Sequence, residues 1–382
     1  MTIAEQHLHV ISFDVPFPAN YGGVIDVFYK VKSLAQLGVK VHLHCYQYGR
    51  EESDVLRNLC YDVQYYKRRT YKNPFIGKTP YIVSTRNDDT LLRNLLYDDY
   101  PILFEGLHTT FHLTDKLLKG RIKLVRMHNI EHQYYAKLEE SERNFFKKYF
   151  FKVESQNLKL YEKVLHHAQL IGAISPADFT YLSKKYKGVF YLPAFHSNDT
   201  VDISTQDEPF VLYHGNLGVG ENDVAARFLL REVFNDLDVP LVIAGNNPSD
   251  ELIKLVGERK HVSIQPSLST EQIDDLIRKA HINFLPTFQA TGIKLKLINA
   301  LYKGKFCLVN SLMVKNTGLE SLCIVKDKPE QMKAEIRKLM GITFNASHIA
   351  QRKALLEERF CNKSNAQMML QQLSAIKSGS SQ

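Results

Sequence analysis

The sequence predicts an α/β protein built from two Rossmann-like, doubly wound domains. Near the amino terminus, an apolar strand at residues 8–15, an amphipathic helix and a second strand at 39–48 follow one another, which is the βαβ pattern of a parallel sheet. The second half repeats the alternation of strand and helix at least five times. A chain of 382 residues is also too long for one ordinary core, so two domains of roughly 150 to 200 residues are expected.

The first βαβ unit contains the loop PFPANYGG. The helix after it carries apolar residues at helical spacing from Val24 to Leu37 and ends at Gly38. Only Gly22 and Gly23 stand at the helix start, so the GxGxxG spacing of a dinucleotide-binding fold is missing. A glycine pair here lets a ligand approach the backbone closely, although a simple tight turn would use the same residues.

Polar residues collect after the next two predicted strands, at residues 102–105 and 123–127. His108 follows the first strand, and His128 and His132 follow the second. Ligands bind at the carboxyl ends of the strands in an open parallel sheet, so these histidines are candidates for a functional site, with His128 first among them. A structural role is the alternative for each of them.

A long helical stretch at residues 134–167 is rich in basic and aromatic side chains. Residues 143–152 read RNFFKKYFFK, and such a helix can lie on an anionic membrane surface. The alternative is a helix that packs its aromatic side chains inward and leaves its lysines in water. The polar run at residues 196–209 is the best candidate for a domain boundary.

The second half alternates strands and helices clearly. The predicted strands are 210–214, 241–245, 262–265, 282–285, 306–309 and 323–325, and the predicted helices are 222–234, 248–258, 295–303 and 329–340. Ser269 and Gln272 form a predicted capping box for a helix that reaches Ala280. The remaining stretch, 348–376, is predicted to be helical. The expected domains are therefore residues 1–195 and 196–345, followed by a helical segment at 346–382 with a disordered tail.

The loop within residues 281–319 is the most informative one. A predicted strand runs into a loop that ends in Thr291-Gly292, and Lys294 and Lys296 fall at the start of the next helix. The helix macrodipole disfavours a cation at this end by roughly 0.3 to 1 kcal/mol, and a bound anion would reverse that sign. Backbone N–H groups with two ammonium groups make a phosphate site. Two solvated lysines are the alternative.

The composition describes a globular protein with an anionic partner. Hydrophobic residues make up 44% and charged residues 24%, which leaves ample core. The net charge of +8 and the pI near 9.0 are consistent with nucleotide phosphate, an acidic membrane surface or nucleic acid. The basic residues are dispersed and no nucleic-acid-binding module is recognisable, so nucleic acid is not an expected partner.

The cysteines and the chain ends indicate a cytoplasmic protein. The five cysteines match neither a zinc spacing nor a disulfide framework, and Cys307 and Cys323 stand in apolar runs, so buried free thiols are expected. No signal-peptide pattern and no apolar run of about 18 residues is present. We therefore expect a cytoplasmic location, peripheral on the inner face of the cytoplasmic membrane if the basic helix binds lipid.

Several segments resemble the GT-B glycosyltransferases, in particular their retaining, glycogen-synthase-like branch (glycosyltransferase group 1, family 4). They are PFPANYGG, LVRMHNIEHQYY, AISPADFTYL, VLYHGNL, LVIAG and TGIKLKLINALYKG. The resemblance extends over nearly the whole chain and implies two Rossmann-like domains facing a cleft. It also implies that the second domain holds most of the nucleotide-sugar donor, that the first holds the acceptor, and that the terminal helix crosses back onto the first domain.

The same resemblance implies roles for particular residues. Gly22 and Gly23 would offer N–H groups near the donor diphosphate and the acceptor, and His128 would lie beside the transferred sugar. Lys294 joins His128 as an implied catalytic residue. The implied donor-binding residues of the second domain are Gly215, Asn216, Thr291, Gly292 and, in the place of a family glutamate, Asn299. Lys296 is a donor-binding candidate because of its place at the helix start.

This chain departs from the pattern of that branch at two places. Many members carry a pair of glutamates around the loop, the second of which grips the nucleotide ribose, and here Thr291 and Asn299 stand in their places. Asn299 can still hydrogen-bond a hydroxyl group, but more weakly than a carboxylate. Many members also carry an arginine and a lysine where this chain reads GNLGVGEND, so Lys294 and Lys296 are the candidate substitutes for that charge.

The expected chemistry is stabilisation of a leaving group. Glycosyl transfer develops negative charge on the departing diphosphate, which preorganised cations and N–H groups stabilise. The sequence offers these without an obvious DxD-like metal loop, because Asp88-Asp89 and Asp98-Asp99 are interpreted as solvated surface. We therefore expect neither a metal nor another cofactor, with the nucleotide-sugar as a co-substrate.

The resemblance implies a hexosyltransferase that acts on a glycan or lipid-linked acceptor with retention of configuration. The implied setting is the synthesis of cell-envelope polysaccharide or glycoconjugate. Two alternatives stay open. One is a non-catalytic nucleotide-sugar-binding or scaffold protein, and the other is a sugar-nucleotide epimerase of the same fold.

Overall fold

A computed structural model of the chain describes residues 6–71, 73, 77–142, 144–204, 208–288 and 294–379. The described residues divide into two compact units. Unit 1 contains residues 6–196 and 360–379, and unit 2 contains residues 197–288 and 294–359. Each unit is built on one parallel sheet with helices between the strands, so the predicted pair of doubly wound domains is confirmed.

Unit 1 contains a seven-stranded parallel sheet in the order β3-β2-β1-β4-β5-β6-β7. Its strands are β1 (His7–Ser12), β2 (Lys40–Gln47), β3 (Asp62–Lys67), β4 (Ile102–Glu105), β5 (Lys123–Met127), β6 (Leu170–Ala173) and β7 (Val189–Tyr191). Its helices are α1 (Gly22–Gln36), α2 (Asp54–Leu59), α3 (Tyr81–Ser84), α4 (Asp89–Leu95), α5 (Glu131–Ser141), α6 (Phe145–Tyr161) and α7 (Pro176–Ser183). A 3₁₀ segment, Leu107–His112, follows β4.

Unit 2 contains a six-stranded parallel sheet in the order β10-β9-β8-β11-β12-β13. Its strands are β8 (Glu208–His214), β9 (Leu241–Ala244), β10 (Val262–Gln265), β11 (Ala280–Phe284), β12 (Phe306–Val309) and β13 (Ile324–Val325). Its helices are α8 (Gly220–Phe228), α9 (Asp250–Gly257), α10 (Thr270–Lys279), α11 (Leu295–Lys303), α12 (Ser311–Val314), α13 (Pro329–Leu339) and α14 (Ala346–Arg359).

The last helix, α15 (Asn362–Gly379), belongs to unit 1. Its buried Ala366, Met369 and Leu373 join a core cluster that also contains the apolar face of α1 and one face of the unit 1 sheet. A second cluster covers the other face of that sheet. Burial of these apolar side chains on both faces explains why the central strands read as continuous apolar runs.

Local sequence signals located most elements correctly. The predicted capping box is confirmed, because the Ser269 hydroxyl accepts from the N–H of Gln272 and the Gln272 side chain accepts from the N–H of Ser269. The single helix predicted at 134–167 is wrong. The chain forms α5 and α6 there, and the side chain of Asn144 caps the start of α6. The terminal helix likewise divides into α14 and α15.

The interpretation of the aspartate pairs as solvated surface is wrong for Asp98, whereas Asp89 and Asp99 are exposed. Asp98 lies 3.0 Å from Nε2 of buried His9 and 3.1 Å from the guanidinium of Arg121, so it belongs to a part-buried network. Asp88 accepts a hydrogen bond from the N–H of Thr90 and caps α4. The partners of Asp98 are distant in sequence, so no local pattern revealed them, whereas the partner of Asp88 is only two residues away.

None of the helices in the described ranges combines the length and the hydrophobicity needed to cross a membrane.

Candidate functional site

In unit 2, the loop between β8 and α8 contains the predicted Gly215 and Asn216 at the carboxyl edge of the sheet. The Gly215 N–H donates to the carbonyl oxygen of Ala244 at 3.0 Å. A Cβ atom at Gly245 would lie 1.7 Å from the carbonyl oxygen of Gly215, so position 245 accepts only glycine. This close approach of two strand ends fixes the course of the loop.

Asn222, in the first turn of α8, connects the predicted residues of unit 2. Its Nδ2 donates to the carbonyl oxygen of Asn216 at 2.9 Å, and its Oδ1 accepts a hydrogen bond of 3.0 Å from Nζ of Lys296. A Cβ atom at Gly215 would lie 3.1 Å from the Asn222 side chain, so the contact is tight. The structure therefore brings Gly215, Asn216 and Lys296 together through Asn222.

The Lys296 ammonium is partly desolvated. Nζ lies 5.5 Å from the centre of the Tyr213 ring, whose face attracts a cation. Burial lowers the pKa of Lys296 to about 8, while nearby Glu221 opposes the shift and Lys294 adds to it. The side chain is mostly protonated at neutral pH, so it presents a poorly hydrated cation at the start of α11.

His214, the last residue of β8, adds a neutral polar group to this edge. It is 5% exposed, and burial together with the charge of Lys296 lowers its pKa to about 3. Its Nε2 has no hydrogen-bond partner among the residues that the structure describes. A neutral imidazole in this position is able to bind a polar ligand atom.

The helix that carries the predicted lysines begins as expected, with Leu295 as its first residue. Lys294 is the N-cap residue, and its carbonyl oxygen accepts two N–H groups of the first turn. Thr291 and Gly292 lie outside the described residues. Their phosphate-binding role, like that of Lys294, stays a prediction.

Asn299 binds a carboxylate of the neighbouring α10. Its Nδ2 donates to Oδ1 of Asp274 at 2.9 Å, and Lys303 donates to the other oxygen of the same carboxylate. Oδ1 of Asn299 has no partner within the described part of the chain. The predicted contact of Asn299 with a ribose stays a prediction, and Asp274 supplies a nearby carboxylate that no sequence motif indicated.

In unit 1, two buried charged side chains of α1, Asp26 and Lys30, meet Glu105 at the end of β4 and Arg126 near the end of β5. Nζ of Lys30 donates to Asp26 at 2.9 Å and to both carboxylate oxygens of Glu105 at 2.8 Å, and Arg126 donates to Asp26 at 2.9 and 3.2 Å. All four are fully buried. Burial alone would raise the pKa of Asp26, but Arg126 and Lys30 outweigh it and hold that pKa well below its ordinary range. The charged network therefore has no net charge.

This charged network orients the predicted His128. Nε2 of His128 lies 2.9 Å from Oε2 of Glu105, and its ring meets the ring of Phe13 edge-on at 5.3 Å. The same Phe13 ring contacts Gly23 of the glycine pair at the start of α1, because a Cβ atom there would lie 2.7 Å from it. Gly22 is the first residue of that helix. His128 and Gly23 are thus assembled around Phe13.

The other two candidate histidines have different surroundings. Nδ1 of His132 lies 3.1 Å from Oε2 of Glu162, an ion-pair distance that accounts for the residue as a structural group. His108 lies near Glu131, with 4.0 Å between Nδ1 and Oε1. The alternative structural role is thus favoured for His132 and not for His108.

The charged network also contains a candidate metal cluster. Asp26, Glu105 and His128 bring three ligand atoms within 4.8 Å of one another. The ammonium of Lys30 already bonds both carboxylates, and Arg126 bonds one of them. Since a metal ion would have to displace a bound cation, we interpret the cluster as an ion-pair network that positions His128.

Sequence reasoning missed the charged network and Asn222. Asp26 and Lys30 stand four residues apart on the face of α1 that is otherwise apolar, and Arg126 interrupts an apolar strand. A charged residue at a position that the apolar pattern predicts to be buried is a signal that could have identified these three residues. No such signal exists for Asn222, because the sequence pattern indicated only that a helix begins there.

Comparison with known proteins shows which structures the chain resembles. No family model matches it. A relative, an uncharacterized 44.6 kDa protein in the cps region of Klebsiella pneumoniae, is 26% identical over 345 residues, covering 84% of this chain and 87% of that protein.

Solved structures of glycosyltransferases superimpose along almost the whole chain. The structure of TarM has a TM-score of 0.67 at 10% identity and covers 97% of this chain and 99% of its own. Anabaena HepE in complex with UDP and glucose has a TM-score of 0.65 at 12% identity, with coverage of 97% and 100%. A glycosyltransferase from Rickettsia africae has a TM-score of 0.65 at 12% identity, with coverage of 98% and 99%.

Proposed function

We propose that this chain, which has the GT-B fold, is a glycosyltransferase that moves a sugar from a nucleotide-sugar to a glycan or lipid-linked acceptor. The observation that carries the proposal is the hydrogen-bonded chain from Asn216 through Asn222 to Lys296. It places a poorly hydrated cation and a helix start at the carboxyl edge of a parallel sheet, where such sheets bind ligands. HepE, which shares the fold, was solved with UDP and glucose, and this supports a nucleotide-sugar as the donor.

The donor diphosphate is the ligand that this edge of unit 2 fits by charge. The interaction of Lys296 with the macrodipole of α11 is unfavourable, and a bound diphosphate would offset it because an anion is favoured at a helix N-terminus. It would also form charge-assisted hydrogen bonds with the ammonium, which is only partly hydrated before binding. Lys294 and the first N–H groups of the helix would add to the stabilisation as the leaving group gains charge.

His128 is the proposed catalytic residue of unit 1. Glu105 binds its Nε2 and is itself held by Lys30, so the imidazole has a fixed orientation. An oriented imidazole offers a positioned polar group to a sugar hydroxyl or to positive charge that develops at the anomeric carbon. Retention of configuration and hexosyl transfer remain part of the proposal and rest on the resemblance of the sequence segments.

The proposed reaction needs no divalent metal. Lysine and helix N–H groups are assigned to the leaving group, and the one candidate metal cluster among the described residues already contains two bound cations. Turnover should therefore persist in excess chelator. Complete loss of activity that manganese or magnesium restores would contradict this assignment.

The acceptor is proposed to belong to cell-envelope polysaccharide or glycoconjugate synthesis, and the protein to bind the inner face of the cytoplasmic membrane. The cps region in the name of the Klebsiella relative supports the first part. The second rests on α6, where Phe145 and Phe146 are 75% and 81% exposed beside the exposed Lys147 and Lys148. Exposed aromatic and basic side chains suit an anionic lipid surface.

A non-catalytic nucleotide-sugar-binding role is the second candidate. It is favoured by Asn299, which stands where a ribose-binding glutamate is expected and whose amide N–H group is already bonded to Asp274. The two candidates agree on donor binding and differ on turnover.

Donor binding is tested with a panel of nucleotide-sugars and the free nucleotides. We expect at least one member to raise the melting temperature of the native protein, and the Lys296→Met variant to need a higher concentration for the same rise. Slow release of nucleoside diphosphate from that donor separates an enzyme from a binding protein. If no member of the panel changes the melting temperature, the proposed function is wrong.

A further inference from the structure

His108 and Glu131 form a second polar pair at the carboxyl ends of β4 and β5. His108 lies in the 3₁₀ segment after β4, and Glu131 is the first residue of α5 after β5. The two strands are neighbours and parallel, so their carboxyl ends meet at one edge of the sheet. The proposed roles of His128 and Lys296 do not use this pair.

The facing atoms of the pair have no hydrogen-bond partner in the part of the chain that the structure describes. Nδ1 of His108 and Oε1 of Glu131 are 4.0 Å apart, both are shielded from solvent, and neither hydrogen-bonds to any described residue. That distance is too long for a direct hydrogen bond. It suits two atoms that share one bridging hydroxyl group. Buried polar atoms are rarely left unpaired, so the gap points to a ligand atom.

Gly106 packs tightly against one of these atoms. Its φ is +70°, and a Cβ atom at this position would lie 2.8 Å from Nδ1 of His108. A contact of this length is a steric clash, and the positive φ is unfavourable for other residues, so position 106 accepts only glycine. The glycine backbone therefore lies directly beside the unpaired nitrogen and limits how the imidazole is placed.

The protonation of the pair fits a neutral partner. Burial raises the pKa of Glu131 to about 8, so its carboxyl group is protonated near neutral pH and donates a hydrogen bond. Burial, with help from Arg86, lowers the pKa of His108 well below its ordinary value, so its imidazole is neutral and offers an acceptor. Arg86 donates to the carbonyl oxygens of Phe13 and Ile82, which engages part of its guanidinium with the backbone. One donor and one uncharged acceptor complement a hydroxyl group better than a phosphate.

We propose that His108 and Glu131 bind one hydroxyl group of a neutral, polyhydroxylated ligand, which is a sugar ring. The His108 side chain is 21% exposed and that of Glu131 is 1% exposed, so the ligand reaches the pair from the side of His108. The assignment of this sugar as the acceptor glycan rests on the proposed function. The proposal that the pair binds a sugar does not depend on the proposed function.

The pair is tested by NMR on the full chain with isotope-labelled histidine. D-glucose is the probe and sodium sulfate is the anion control, and sodium chloride keeps the ionic strength of all samples equal. Loss of one signal in His108→Gln identifies the His108 resonance. We expect D-glucose to shift it saturably and sulfate to leave it in place. Glu131→Leu should weaken the apparent affinity by about tenfold or more, while Glu131→Gln, which keeps an N–H donor, should bind within about threefold of native.

A native protein whose His108 signal ignores D-glucose would overturn the proposal, as would a response to sulfate or a glucose response that Glu131→Leu leaves intact. The His132 signal, from a residue paired with Glu162, reports whether each variant is folded. Nucleotide-sugar binding is measured on the same samples. If the protein binds no nucleotide-sugar but His108 still responds to glucose, the proposed function is wrong and the sugar site stands. If the protein binds a nucleotide-sugar but His108 does not respond to glucose, only the proposal for His108 and Glu131 is wrong.

Discussion

Nζ of Lys296 donates a 3.0 Å hydrogen bond to Oδ1 of Asn222, and this bond joins the first turns of α11 and α8 in unit 2. Each of those turns has N–H groups without partners in its own helix. A cation in the first turn of α11 opposes the helix macrodipole. Without a ligand, the charge of Lys296 therefore interacts unfavourably with the macrodipole of α11. A bound anion at this place would stabilise the protein.

We predict that Lys296→Met lowers donor affinity by roughly ten- to a hundredfold, because a charged hydrogen bond is worth about 1.5 to 3 kcal/mol. The free energy of unfolding near neutral pH should increase, since burial depresses the pKa of Lys296 to about 8 and the folded state therefore disfavours its charge. Donor affinity of the native protein should decline as the pH rises above about 8. Calorimetric titration and chemical denaturation measure these effects.

Lys294→Ala is the matched variant for this prediction. It removes a cation from the N-cap of the same helix, so donor affinity and turnover should both fall while stability stays level or rises. If both variants bind donor normally and are less stable than native, the lysines are structural. The phosphate site would then have to be sought in the loop at residues 215–220.

The charged network of unit 1 predicts a large stability effect. Lys30→Met leaves Asp26 and Glu105 buried without their shared cation, and breaking a buried ion pair in this way costs about 3 to 5 kcal/mol. The exposed pair of Lys353 and Glu357 provides a control, because Lys353→Met should change stability by less than about 0.5 kcal/mol. Equal effects of the two substitutions in chemical denaturation would refute the role assigned to the network.

Histidines on β1 and β2 predict a loss of stability in mild acid. His9 is 2% exposed and contacts Asp98 and His44, with His42 and Arg121 nearby. Burial lowers its pKa from 6.5 to about 4, only partly offset by Asp98. Between these values the unfolded state binds more protons than the folded state, so stability falls as the pH falls from about 6.5 to about 4. The total is at most about 3 kcal/mol.

The measurement is the pH dependence of the free energy of unfolding for native protein and His9→Gln. The slope between those pH values should be smaller in His9→Gln. The exposed His167 gives the control, since His167→Gln should retain the native slope. An unchanged slope in His9→Gln would show that the acid sensitivity lies elsewhere.

The exposed end of α6 predicts salt-sensitive binding to anionic vesicles. Each basic residue near such a surface contributes about 1 kcal/mol, and salt screens the interaction within a Debye length. Replacing Phe145 and Phe146 together with serine should weaken co-sedimentation with phosphatidylserine vesicles. Tyr97→Ser, at an aromatic residue that is 84% exposed elsewhere in unit 1, should not. Native protein that stays unbound at low ionic strength would show that α6 is ordinary structure. Arg143, at the edge of this stretch, lies outside the described residues.

Much of the fold could be predicted because its signals are local. The strands at Lys123–Met127 and Val262–Gln265 match the predictions residue for residue, since each is a short segment with apolar side chains and polar residues near both ends. β3 was missed, because Asp62–Lys67 carries polar and aromatic side chains at the sheet edge and lacks such a run. The break between α14 and α15 was missed because no proline or glycine marks it.

The candidate site could be predicted only where a residue stands beside a strand end or a helix start. His128 and Gly215 stand beside strand ends, and their neighbours in sequence indicate a ligand edge. Lys296 was found by a different local signal, a cation at the start of a predicted helix. Asn222 and Glu105 acquire their roles through partners 74 and 23 residues away, and no local pattern encodes such a pairing. The protonation of Glu131 likewise follows from burial that only the folded chain creates.

The most direct test of the account is the release of nucleoside diphosphate from the nucleotide-sugar that stabilises the native protein. The native chain should release it slowly with water as acceptor. His128→Ala should bind the same donor with unchanged affinity and release nucleoside diphosphate at least about tenfold more slowly, because a positioned group in general contributes a hundredfold or more to such chemistry. A native chain that binds the donor tightly but never releases nucleoside diphosphate, with any glycan or lipid-linked acceptor supplied, would contradict the account and leave a binding protein in its place.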